Sequence, residues 1–204
     1  MSIAFTEERA THAALIGPNA ITQMAAALFA VCGERLRREI FEDAGLARYL
    51  VSPPTQMTPE DEVARLHRIA IERLGEAKAA EISREAGRLT GDYLLANRIP
   101  RFAQRALKAM PRRLAARLLV AAIARHAWTF SGSGEFSYEF KPYLCLRIIG
   151  SPICKSLRTC EPACTYFAAT FERVFAEMLG PTLSVKEIEC AATGAPVCLF
   201  DVRW

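Results

Sequence analysis

Residues 162–204 read PACTYFAATFERVFAEMLGPTLSVKEIECAATGAPVCLFDVRW, and the way this stretch folds decides the class of the whole chain. Phe167, Phe171, Val174, Phe175 and Met178 recur at helical spacing, which predicts a helix with one apolar side, and Gly180-Pro181 stops it. TLSVKEIEC and VCLFDVRW then flank ATGAP, a turn composition, so the end of the chain reads as a β-hairpin. A helix and a hairpin of this kind bury their apolar faces against each other. The expectation is an α+β fold, a small antiparallel sheet with a packed helix.

Upstream, FSYEFKPYLCLRIIG (136–150) adds a strand or two, with Pro142 arguing against one continuous central strand. The first 130 residues read as helical. A helix follows Gly17-Pro18-Asn19, with Ile21, Met24, Leu28, Val31 and Leu36 on its apolar side, and VSPPTQ (51–56) interrupts the chain. Thr58-Pro59-Glu60-Asp61 has the form of a helix start, a threonine cap with proline at the first position and acids in the first turn. Val63, Leu66, Ala70 and Leu74 continue that helix, which runs with a kink at Gly75 to Gly87. GDYLLANRIP (91–100) stays helical up to Pro100, RFAQRALKAM (101–110) forms another helix, and Pro111 opens one that reaches about His126. On this reading residues 1–57 are an N-terminal helical segment and residues 58–204 an α+β domain, the two making one compact unit.

The chain has 204 residues and a net charge of +4, too mild a basicity to argue for nucleic acid. Glu7 and Glu8 precede any apolar run, unlike a signal peptide, and the longest apolar run, Met24 to Cys32, is nine residues, far below a membrane span. A cytoplasmic location is expected, with peripheral membrane association compatible with it. Six of the seven cysteines lie after residue 140. In a reducing compartment they do not read as a disulfide framework.

Cys164 at the start of the late helix and Cys190 and Cys198 at the hairpin mouth can converge. Thiolates suit zinc, which takes tetrahedral sulfur ligands without redox change. A fourth ligand has two candidates. Glu187 lies three residues before Cys190, which places the two on opposite faces of a regular strand unless a bulge intervenes. Cys160 forms Cys-x3-Cys with Cys164, although Pro162 constrains that loop. Buried packing, a disulfide and an iron–sulfur cluster remain alternatives, because free cysteine is commonly buried.

The register from Cys164 through the helix ending in Gly180, then KEIEC (186–190) and Cys198 after a Gly-containing turn, resembles the vinyl-4-reductase domain family. Sensory domains of phenol-responsive regulators share that cysteine register. The resemblance implies a zinc ion held by Cys164, Glu187, Cys190 and Cys198. It also implies a fold related to vesicle-tethering complex subunits, with a ligand cavity. GDYLLANRIP, MPRRLAARLLVAAI (110–123) and HAWTFSGSGEF (126–136) are further similar to the 4-vinyl (8-vinyl) reductase family of bacteriochlorophyll biosynthesis. That likeness implies a role in the magnesium-tetrapyrrole branch and reduction of a vinyl group on divinyl protochlorophyllide or a precursor.

The residues themselves offer no electron source for such a reduction. SGSGEF lacks the spacing and the following helix of a dinucleotide loop, and no NAD or flavin motif is present. A closed thiolate site suits structural zinc. Binding and delivery of a magnesium tetrapyrrole is therefore the leading expectation. Reduction with an external electron donor and sensing of a small ligand are the rivals. His126, beside Trp128, is the expected axial ligand, and Phe136, Tyr166 and Phe167 are candidate pocket aromatics. His67 reads as solvated and His12 as lying near a chain end. Arg98, Arg101, Arg105, Lys108 and Arg112 recur every three or four residues as a basic stripe. It suits a pigment propionate, an anionic membrane or an acidic pathway enzyme better than nucleic acid. A homodimer through the first long helix is a further option.

Overall fold

The computed structural model describes residues 14–140 and 142–204, so His12 lies outside the described residues. The elements in chain order are β1 (Leu15–Ile16), α1 (Asn19–Asp43), α2 (Arg48–Val51), β2 (Thr58–Pro59), α3 (Glu60–Leu74), α4 (Glu76–Asn97), α5 (Arg101–Ala109), α6 (Arg112–Arg125), β3 (Glu135–Phe140), β4 (Leu144–Ile149), α7 (Thr165–Leu179), β5 (Ser184–Glu189) and β6 (Cys198–Arg203). The fold is α+β, and the terminal hairpin forms as β5 and β6. The antiparallel sheet runs in the order β3-β4-β6-β5, with Pro142 in the turn between β3 and β4. In the two central strands Leu144, Leu146 and Ile148 alternate inward, as do Cys198, Phe200 and Val202, so one face of the sheet is buried.

Helix α7 is buried on more than the one side its phenylalanines predict. Phe171 meets Phe200 of the sheet at 5.7 Å between ring centroids, while Ala168, Ala169 and Thr170 are buried as well. The reason is a second partner, α4, which crosses α7 at Gly87. A Cβ built on Gly87 would stand 2.2 Å from the carbonyl oxygen of Tyr166, closer than atoms approach, so only glycine permits this crossing. Thr170 Oγ1 donates to the Gly87 carbonyl at 3.1 Å across it. Helix α1 packs on the other side of α4, and core residues from Ile16 to Val202 form one continuous cluster.

Two local expectations are corrected. Thr58 does not cap α3. It pairs with Ile16 as part of β2, and its Oγ1 bonds the Ile16 carbonyl, so tertiary pairing overrides the capping signal. The helix beginning at residue 60 also ends at Leu74, and α4 starts afresh after Gly75 rather than continuing through a kink.

SGSGEF has a structural use. Gly132, at φ +59°, turns the chain so that Ser133 donates from its backbone N–H and its hydroxyl, both at 2.7 Å, to the Glu60 carboxylate. Lys155 pairs with the same carboxylate. Glu60 is buried; burial pushes its pKa up, but the bonds from Lys155 and Ser133 outweigh that and hold it below the usual carboxylate range. The start of α3 is thereby tied to the segment that carries Cys154.

Candidate metal centre and adjoining cleft

Four thiols meet where the sheet, the start of α7 and a short turn converge. Cys198 opens β6, Cys190 follows β5, Cys164 precedes α7, and Cys154 ends a 3-10 turn at Pro152–Cys154. All four are buried, and their sulfurs lie within 4.8 Å of one another. Cys154 Sγ is 3.2 Å from Cys164 Sγ and 3.6 Å from both Cys190 Sγ and Cys198 Sγ, and Cys164 to Cys198 is 3.5 Å. A tetrahedral ion with zinc–sulfur bonds of ~2.3 Å spaces its sulfurs by ~3.8 Å. The cage is therefore the size of a single ion. A polynuclear iron–sulfur cluster spreads its cysteines farther, because each ligates a different iron. The separations also exceed a disulfide bond, and all seven cysteines are free.

Backbone amides complete the surroundings. The N–H of Ala163 donates to Cys190 Sγ at 3.3 Å and that of Ala191 to Cys198 Sγ at 3.4 Å, contacts that favour thiolate over thiol. The bonds that Cys190 receives from Cys154, Cys164 and Cys198 pull its pKa far down, while burial pushes Cys164 up. Four anions cannot be held so close without a cation, so the donor set fits a divalent metal.

Three of the expected thiols, Cys164, Cys190 and Cys198, are thus brought together, and Cys154 takes the fourth corner. Cys160 is exposed, and its N–H bonds the Glu76 carboxylate. Glu187 borders the cage. The pairing of β5 with β6 shifts register between Glu187 and Glu189, and this bulge lets Glu187 and Cys190 both face inward while Ile188 is exposed. Glu187 Oε2 accepts the N–H of Cys164 at 2.8 Å, whereas Oε1 has no partner. Burial, then the charge on Cys190, pushes the Glu187 carboxyl up to about 9.

A cleft of about 440 Å³ opens against this centre, between α3, the start of α4, the 159–163 loop, the start of α7 and β5. Ile71, Ala79, Ala80, Ala168 and Val185 give it apolar walls. Glu76 spans one rim by accepting the N–H groups of Cys160 and Glu161. His67 borders the cleft but is only 2% exposed, with Ser83 Oγ 3.3 Å from its Nδ1 and the Tyr166 ring edge-on at 6.0 Å. Its Nε2 has no partner, and burial lowers its pKa to about 4, so the ring is neutral at pH 7. Arg84 and Lys186 also line the cleft and have no carboxylate partner among the described residues.

The residues expected around a pigment stand elsewhere. His126 is exposed, with Nδ1 2.9 Å from the Ala122 carbonyl, and Trp128 is 63% exposed. Phe136 and Phe167 join Phe130 and Phe171 in an aromatic cluster that fills the space between α7 and the sheet. Tyr166 is buried, with its hydroxyl 2.9 Å from Thr90 Oγ1. Sequence reasoning missed Cys154 and His67. For His67 a signal existed: it stands at the fourth position after Val63 and the third before Ala70, inside the apolar stripe of α3. For Cys154, in an irregular turn, no periodicity could supply one.

The vinyl-4-reductase domain family matches residues 144–204, the part of the chain that contains all four thiols. The "Bacteriochlorophyll synthase 23 kDa chain" of Cereibacter sphaeroides is 42% identical over 187 residues, covering 92% of this chain and 89% of that one. The protein of the same name from Rhodobacter capsulatus is 42% identical over 188 residues, covering 91% and 85%. Among solved structures, the phenol-responsive sensory domain of the transcription activator PoxR, with phenol, superposes at a TM-score of 0.52 with 12% identity, over 72% of this chain and 76% of that one. An H-NOX protein from S. oneidensis in the Fe(II)NO ligation state gives 0.52 and 12%, over 92% and 98%. At such identities these two show a shared fold and nothing further.

Proposed function

The chain belongs to the family of the bacteriochlorophyll synthase 23 kDa chains and has a role in bacteriochlorophyll biosynthesis, and from that premise we propose that it binds a magnesium-tetrapyrrole intermediate and presents it to the pathway's enzymes. Divinyl protochlorophyllide or a precursor is the intermediate in question. The observation that carries this reading is the cleft beside the thiol cage, whose one unpartnered buried nitrogen is that of a neutral histidine. Its volume lies in the range used for small-molecule and cofactor ligands, roughly 300–1,000 Å³. A macrocycle presents flat apolar faces, a metal that takes a nitrogen donor, and carboxylates at its edge. The cleft offers apolar walls for the first, His67 for the second, and Arg84 and Lys186 for the third.

His67 replaces His126 as the axial donor in this proposal. Ser83 at its Nδ1 fixes the ring and leaves Nε2 as the free end. The thiol cage holds one zinc ion through Cys154, Cys164, Cys190 and Cys198. When bound, zinc neutralises the thiolates and cross-links the cleft's wall, and four sulfur ligands suit that structural part. The carrier thus delivers pigment with its vinyl group unreduced.

Mixing the purified chain with divinyl protochlorophyllide tests this. A stoichiometric red-shifted band is expected, and pigment extracted after incubation with NADPH or reduced ferredoxin retains its vinyl group. His67→Ala abolishes the shift, and R84Q/K186Q weakens binding about tenfold, the loss of charge-assisted bonds. Turnover by the chain with either donor would replace the carrier by a reductase. Preference for phenol-sized aromatics over the macrocycle would make it a sensor.

A further inference from the structure

Between Asp92 and Glu135 the chain contains no acidic residue and eight basic ones, Arg98, Arg101, Arg105, Lys108, Arg112, Arg113, Arg117 and Arg125. The whole chain is only +4, so everything outside this segment is net negative. The positive charge of the protein is therefore gathered on two consecutive helices, α5 and α6, both of which lie on α7. Lys108 is paired with Glu177, but Arg101, Arg105, Arg113 and Arg125 have no carboxylate partner among the described residues.

The same surface carries large apolar side chains in water. In α5 no residue is fully buried, and Phe102, one residue after Arg101 and three before Arg105, is 75% exposed. In α6 the inner face is Ala115, Ala116, Leu119 and Val120, while Leu114 and Leu118 are 48% and 46% exposed on the outer face with Arg113 and Arg117 beside them. Arg117 also lies over the Phe140 ring, 5.6 Å from its centroid. A solvated helix face would carry polar residues at these positions. Phenylalanine and leucine interleaved with unpaired arginine is instead the composition of a helix that lies in a membrane interface.

We propose that the outer faces of α5 and α6 dock on an anionic lipid surface, with Phe102, Leu114 and Leu118 entering the headgroup boundary and the arginines meeting lipid phosphates. Charge complementarity selects the anionic leaflet, since basic residues near such a surface each add to the attraction. Double-stranded nucleic acid would use the arginines but has no use for the three exposed apolar chains, because its backbone is met by charge alone. No helix among the described residues is long and apolar enough to cross a membrane, so the attachment is peripheral. The inference stands independently of what the cleft holds.

Co-sedimentation of the full chain with phosphatidylcholine vesicles, with and without phosphatidylglycerol, tests it. The chain should pellet with the anionic vesicles, much less with the neutral ones, and be released by high salt. F102S/L114S/L118S, which leaves the charge unchanged, should weaken vesicle binding about tenfold or more, and R101Q/R105Q/R113Q about fivefold per charge. All six positions are exposed, so the thermal transition of each variant should match the parent. The proposal is overturned if the anionic vesicles do not pellet the chain, or if the apolar variant pellets as well as the parent. It is overturned equally if a DNA duplex binds as tightly as the vesicles and the apolar variant retains both.

Discussion

His67 is an imidazole enclosed by Ser83, the Tyr166 ring and the wall of the cleft, with no carboxylate among its hydrogen-bond partners. Burial alone depresses its pKa to about 4, against about 6.5 in the unfolded chain. Between those values the unfolded state binds more protons, so acid favours unfolding. Stability should be constant above about pH 6.5 and fall by about 3 kcal/mol as the pH drops to 4. His67→Gln keeps a polar group there without titrating, so its urea unfolding curves should lose that component of the pH dependence; an unchanged slope would remove the buried neutral histidine. At this scale the sequence was informative wherever a residue's neighbours lie close along the chain. Cys164, Cys190 and Cys198 could be grouped because helix start and hairpin mouth are short-range features. Cys154 joins them through Gly150 to Leu157, an irregular stretch held by Ser151 and by the long-range pairing of Lys155 with Glu60, and such contacts leave no periodic trace.

At the scale of elements, α4 and α7 carry the largest contact in the molecule, and its closeness rests on Gly87. Gly87→Ala raises intrinsic helix propensity by about 1 kcal/mol, which on an exposed face would stabilise α4. Here the new methyl meets the backbone carbonyl of Tyr166 and the Cβ of Ala169, neither of which can swing aside. The helices must separate, and the expected net loss is about 2–3 kcal/mol by chemical denaturation. Wild-type stability in this variant would mean that α4 and α7 do not cross this closely. Helices were legible because apolar residues recur with the helical period, and the hairpin because turn residues separate two β-rich runs. Their partners were not. The helical period shows that α7 has an apolar side but not that α4 covers another, and the threonine and proline at 58–59 suit a cap as well as a strand until Ile16 is seen beside them.

In the whole molecule, the thiol cage joins segments that nothing else holds together so directly. Cys154 belongs to the turn anchored on α3 through Lys155 and Glu60, Cys164 to the entry of α7, and Cys190 and Cys198 to the hairpin. A metal ion that binds only the folded arrangement stabilises it by mass action, about 3–4 kcal/mol when zinc exceeds its Kd by a hundredfold to a thousandfold. The proposed site therefore makes a prediction that separates the two candidate fourth cysteines. Protein purified without added metal should contain one zinc per chain by elemental analysis. Cys154→Ser should lower both zinc content and unfolding free energy, and a strong chelator should bring the parent down to the stability of that variant. Cys160→Ser, which alters an exposed side chain of the loop at the cleft rim, should retain zinc and stability alike. The opposite ranking of the two serine variants would move the fourth ligand to Cys160, and stoichiometric iron in place of zinc would turn a structural clamp into a redox centre. If Cys154→Ser also weakens pigment binding while its helices still form, the clamp shapes the cleft as well as the fold, because Ala163 and Glu187 line the one and contact the other.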